Sequence, residues 1–212
     1  MFLIIFIALF VPADRLDWWI AWFYWLAHYY IALITALWLL RVNPELSQER
    51  FQPGENVKRW DQVILILNLF LLLGLYVTIG LDAGRFGWSS VPLFIRLLAL
   101  LGFVPAFGLP LAASQANAFL SSRVRIQEDR GHYVVERGPY QFVRHPMYLG
   151  TLFFNICLPL MLGSWWGLVV GGLMNILVFV RTALEDRTLH AELPGYPEYA
   201  SRVRYRLIPG LW

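Results

Sequence analysis

The chain predicts an all-α, polytopic integral membrane protein of about five transmembrane helices, the last two folded into a hairpin. Three observations carry this reading. Of its 212 residues, 58% are hydrophobic and only 15% charged, where a soluble domain carries roughly 25% charged residues. A mean hydropathy of +0.56 with 17% aromatic residues is more apolar surface than a water-soluble globule of this size could bury. Apolar runs also recur at the ~20-residue length that a helix needs to cross a ~30 Å hydrocarbon core. The length excludes a large additional soluble domain.

Residues 1–11 are apolar but too short to cross alone, and Pro12-Ala-Asp-Arg15 separates them from the next run, so they read as an interfacial or partly inserted helix. They have neither a basic region nor a small-residue cleavage site, and so do not read as a signal peptide. The first span runs from Trp18 to Leu40 and ends at Arg41. Trp18, Trp19 and Trp38 suit interface anchors, and the aromatic middle of this helix is a candidate wall for a lipid-chain groove. A second span covers Val63 to Leu81. A third covers Val91 to Ala113, where Pro105 and Pro110 are expected to kink the helix. The 36-residue block from Met147 to Thr182, broken by Pro159 and Gly163-Ser164, reads as two helices in a hairpin. Gly163, Gly167 and Gly171 fall on one stripe suited to close packing. Cys157, the single cysteine, reads as a small buried hydrophobe, which leaves no internal disulfide and no cysteine metal cluster.

Sixteen of the seventeen basic residues are arginine, and fourteen of the seventeen lie in segments 41–61, 114–146 and 181–212. Five crossings put these three segments on one side, and basic residues are retained on the cytoplasmic side. The polar chemistry is therefore expected at the cytoplasmic face, within 114–150 and 181–212. No Gly-rich phosphate loop, zinc signature or internal repeat is present.

In the first of these segments, His132 to Glu136 reads as extended, Gly138-Pro139 as a turn, and Pro146 as the first helical residue of the hairpin. Arg144 and His145 then precede a helix start, where free N–H groups and the dipole favour an anion; they suit either an anion seat or interfacial anchoring. In the second, Arg181 and Glu185 are four apart on one helix face, either as an ordinary ion pair or as charges marking function where the last span leaves the hydrocarbon. His190, further out, reads as solvated.

The pattern Gly138-Pro-Tyr140, Val143-Arg-His-Pro-Met-Tyr148-x-Gly150, a long hairpin, Arg181-x-x-x-Glu185-Asp186-x-x-Leu189, Tyr196-x-x-Tyr199 and Arg206-x-x-Pro209 resembles the isoprenylcysteine carboxyl methyltransferase family. That family stands with phospholipid N-methyltransferases and thiol methyltransferases among membrane S-adenosylmethionine enzymes. The resemblance covers about residues 123–210; the first three spans share only hydrophobicity with it. It implies one methyltransferase domain over 1–212, with membrane helices in 1–113 and the cofactor-binding catalytic part in 114–212.

By the same resemblance, S-adenosyl-L-methionine is held at the cytoplasmic face by Gln127, His132, Tyr133, Val134, Val135, Tyr140, His145, Pro146, Met147 and Tyr148. Glu185 closes that pocket from the other side and Arg181 faces the methyl acceptor, so these two are the candidate catalytic pair. Gln127 aligns only across a two-residue gap, and Asp186 stands where the family commonly has a second glutamate. No metal is implied. The implied partners are the bilayer and a lipophilic or lipidated acceptor, with no nucleic acid. The first expectation is methylation of an isoprenylcysteine-like carboxylate; the alternatives are a phospholipid amine, a small thiol, or a non-catalytic membrane protein of the same fold.

Overall fold

The computed structural model describes residues 2–42, 44–51 and 57–212, so the polar segment 41–61 is described only in part. Every regular element among the described residues is helical. Four helices are long and apolar enough to cross a membrane: Trp19–Val42 (α2), Arg59–Ile79 (α4) with its π-helical continuation Gly80–Phe86, Leu93–Ala116 (α5) and Trp165–Glu192 (α7). The expected fifth span is Pro146–Leu162 (α6). At 17 residues it is about 26 Å long and falls short of the others. Phe2–Ala13 (α1), Pro44–Phe51 (α3) and Tyr196–Arg202 (α8) complete the set.

The bundle exposes its apolar side chains outward: Phe70, Val104 and Leu101 stand free on the flanks of α4 and α5. Such a surface is stable in lipid and not in water. The interior is a second apolar layer in which Leu9 and Phe10 of α1, Leu75 and Ile79 of α4, Leu158 and Leu162 of α6 and Met174 of α7 meet. The sequence suggested an interfacial α1. It packs against α4 and the π-turn, because Gly80 and Gly84 admit it: a Cβ on Gly80 would strike the Leu9 carbonyl oxygen and one on Gly84 the Ala13 side chain. Trp18 is buried beside Gly84 instead of anchoring an interface, while Trp19 faces outward.

The hairpin turns at Gly163-Ser164. Gly163 takes the left-handed conformation (φ 93°) that ends α6, and Ser164 caps α7 by accepting the Gly167 N–H at 2.8 Å. Gly163 therefore lies in the turn, off the expected stripe. Gly167 and Gly171 do lie at a close contact, where a Cβ on Gly171 would collide with the Asn155 carbonyl oxygen of α6. At 28 residues, about 42 Å, α7 is longer than the hydrocarbon is thick, and its last turns carry Arg181 to Glu192 into the polar cap.

That cap is the chain from Asn117 to His145 together with α8 and residues 203–212. Residues 132–136 belong to no helix or strand. Two backbone bonds tie the carboxyl-terminal segment to the head of α6: Arg144 N–H to the Tyr205 carbonyl at 3.0 Å and His145 N–H to the Arg206 carbonyl at 2.9 Å. These two N–H groups are thus already used, so an anion at this end of α6 would have to be met by side chains.

Candidate active site

One cavity, with about 800 Å³ of empty space including its mouth, opens where the cap meets α6 and α7. All twelve residues singled out from the sequence line it: Gln127, His132 to Val135, Tyr140 and His145 to Tyr148 from the cap and α6, Arg181 and Glu185 from α7. Asn117, Phe119, Arg123, Leu189, Leu193, Tyr196 and Tyr199 also line it. In the sequence Leu189, Tyr196 and Tyr199 stand out only as members of the motif pattern. The rest carried no sequence signal of their own.

Arg181 and Glu185 do not pair with each other. Arg181 Nε donates to Asp61 Oδ1 at 2.8 Å and its terminal nitrogen to the Ser122 carbonyl at 3.0 Å, while its guanidinium lies 5.3 Å from the centre of the Tyr148 ring. Asp61, 0% exposed in the first turn of α4, also accepts the Val124 N–H at 2.9 Å. The Tyr148 hydroxyl donates to Glu185 Oε2. One α7 face thus holds two polar groups four residues apart, each turned to a different neighbouring helix. An acid at the head of an apolar span is the signal that could have pointed to Asp61, since such a charge is costly without a partner.

Asp186 faces away from the cavity and organises the wall behind it. At 1% exposure it gathers the guanidinium of Arg144 (2.8 Å), Nε of Arg206 (2.8 Å), the Tyr196 hydroxyl (2.9 Å) and, at 3.4 Å, Nε2 of His145. Two arginines around one carboxylate compensate its burial. His190 is exposed, in keeping with the solvated reading, and lies 3.9 Å from the same carboxylate with its ring edge-on against Tyr196. Tyr199 donates to the Tyr140 carbonyl at 2.7 Å. Burial, reinforced for Tyr196 by the Asp186 charge, pushes both phenols up, so they stay protonated donors.

Gln127, 1% exposed, is committed at both ends of its amide: its nitrogen donates to the Phe119 carbonyl at 2.6 Å and its oxygen accepts from Arg130. It shapes the loop and has little left to offer a ligand. Its backbone N–H donates to His132 Nδ1 at 3.3 Å, which leaves the imidazole proton on Nε2. Burial, with the charges of Arg125 and Arg130 adding, lowers the His132 pKa to about 4, so the ring is neutral at pH 7. Beneath the loop Arg125 grips Glu49 of α3 with two bonds of 2.9 and 2.8 Å and Asp129 with a third of 2.8 Å, and it holds the Glu49 carboxyl below the usual range.

One cavity-lining residue has a buried nitrogen left over. Arg144 is 9% exposed, and its Nε has no partner although its other nitrogens bind Asp186 and the Arg204 carbonyl. A buried guanidinium N–H without an acceptor is costly. The cavity lining therefore combines the cationic side chain of Arg144, a carboxylate at Glu185, and apolar and aromatic walls at Phe119, Val134 and Leu189. Such a set fits one ligand bearing a carboxylate, an ammonium and a heterocycle.

Residues 96–192 match the phospholipid methyltransferase family model. This stretch, somewhat under half of the chain, takes in α5, α6, α7 and the cap between them. The phospholipid methyltransferase family is in the same group of membrane methyltransferases that the sequence motifs resemble. No curated protein matches the chain.

Proposed function

We propose that the chain is an S-adenosylmethionine-dependent methyltransferase acting on the polar end of a lipophilic acceptor, with its cavity open to the cytoplasm. The observation that carries this reading is the cavity built jointly by residues 117–148 and by α7, lined by all twelve candidate residues and by Arg144, whose buried Nε has no partner. In this reading Arg144 receives the cofactor carboxylate, Glu185 with Tyr148 receives its ammonium, and the loop from His132 to Val135 with Phe119 covers its ring system.

The bound cofactor supplies a methyl group on a sulfonium, which an acceptor lone pair displaces in line. The protein's task is to hold acceptor and methyl about 3–3.5 Å apart in a dry site. Arg181, fixed by Asp61 and lying over Tyr148, shapes the acceptor side. The half-buried, neutral His132 adds no charge to the site. The basic segments 114–146 and 181–212 supply the orientation argument.

Two acceptor types are served by this arrangement. A carboxylate such as that of an isoprenylcysteine is already ionised and needs no base. A phospholipid amine must lose a proton, and it is equally consistent with the family match. A thiol is the third acceptor in the panel.

Incubating the detergent-solubilised protein with methyl-labelled cofactor and farnesylcysteine, phosphatidylethanolamine or an alkyl thiol tests the reading. Label transfer to one class of acceptor is expected. No transfer to any of them, together with no heat on titrating S-adenosylhomocysteine into folded protein, would mark a non-catalytic membrane protein instead.

A further inference from the structure

Four arginines line the cavity, and three are held. Arg125 is bound by Glu49 and Asp129, Arg144 by Asp186, and Arg181 by Asp61. Arg123 differs: among the described residues its guanidinium has no hydrogen-bond or ion-pair partner, and only its backbone is engaged, with the Ser121 hydroxyl at 3.2 Å. Its position is set by its neighbours. The Ser122 carbonyl accepts from Arg181, the Val124 N–H donates to Asp61, and the Val124 carbonyl accepts from Lys58 at 3.1 Å. Arg123 is thereby pinned where α4 starts and α7 leaves the bundle, next to the groups that form the acceptor side. An unpaired, half-buried cation on a rigid stretch of backbone is a seat for an oxyanion.

We infer that Arg123 holds an oxyanion of the methyl acceptor, a lipid phosphate or a carboxylate, and so selects anionic-headed lipophiles over neutral ones of equal chain length. Arg181, already neutralised by Asp61, is the lesser candidate for this task. The inference rests on the methyltransferase reading for its role in turnover, but the seat itself can be tested without turnover.

The test uses the full chain in detergent, as wild type, Arg123→Gln and Arg123→Lys. Binding of short-chain phosphatidylethanolamine and of farnesylcysteine, followed by tryptophan fluorescence, reads the seat directly, and the two ligands separate phosphate from carboxylate. Arg123→Gln should weaken at least one of them by about ten-fold or more, the loss of one charge-assisted hydrogen bond. Arg123→Lys should recover part of it, and S-adenosylhomocysteine affinity should not change. In turnover the same variant should raise KM for the anionic acceptor with kcat largely kept, and leave an alkyl thiol untouched. Equal lipid binding in wild type and Arg123→Gln, an equal loss for the thiol, or a loss of S-adenosylhomocysteine affinity would overturn the inference. If binding follows Arg123 while no acceptor is methylated, the methyltransferase reading fails and the oxyanion seat stands.

Discussion

At the scale of single residues, the pairing of Arg181 with Asp61 decides how its substitution will read out. Removing the guanidinium leaves a carboxylate at 0% exposure unpaired, a change that typically costs about 3–5 kcal/mol. Arg181→Ala should therefore lower the thermal midpoint markedly as well as turnover, and Asp61→Asn combined with Arg181→Gln should restore most of the stability without restoring turnover. Full recovery of activity in the double variant would show that Arg181 serves only to balance Asp61. His132 makes a pH prediction. Its native pKa of about 4 lies below the ordinary value of 6.5, so between these pH values the unfolded chain binds the extra proton. The contribution of the neutral ring is complete above about pH 6.5 and is lost as pH falls toward 4. Denaturant midpoints measured across that window should fall with pH in wild type and fall less in His132→Gln.

Among elements, the α6–α7 hairpin depends on backbone contact at Gly171 and the docking of α1 on contact at Gly80. Gly171→Val should destabilise the folded protein by about 1–3 kcal/mol through overpacking against the Asn155 carbonyl, read as a lower midpoint in detergent. Gly172→Val, one residue on and facing open space, should be nearly neutral. The hairpin was legible because Pro159 and Gly163-Ser164 interrupt a long apolar block, and the cavity-lining motifs were legible because they keep their order along the chain. Pairings between distant residues were not. Asp61 lies 120 residues from Arg181, and Glu49 lies 76 from Arg125; periodicity carries no information about such partners. The backbone partners of Arg144 and His145 were hidden for the same reason, since the carbonyls of Tyr205 and Arg206 that occupy those N–H groups come from some 60 residues away.

For the whole molecule, the polar cap and the α4–α5 connection lie at opposite ends of the bundle, and a cytoplasmic cap is the orientation we propose from the arginine distribution. Cys157 is the single cysteine, so a Cys157→Ser background allows labelling from each side. Arg204→Cys, in the exposed part of the cap, should react with an impermeant maleimide only after the inner face is opened, and Trp88→Cys in intact cells; the reverse pattern would invert the topology. The central claim is that two stretches remote in sequence enclose one donor molecule. Calorimetric titration of S-adenosylhomocysteine into wild type, Val134→Trp from the cap and Glu185→Gln from α7, each checked for folding by its thermal midpoint, tests it most directly. Saturable binding in wild type, weakened about ten-fold or more from either side, is expected. Binding unchanged in both variants, or no binding by folded wild type, would contradict it.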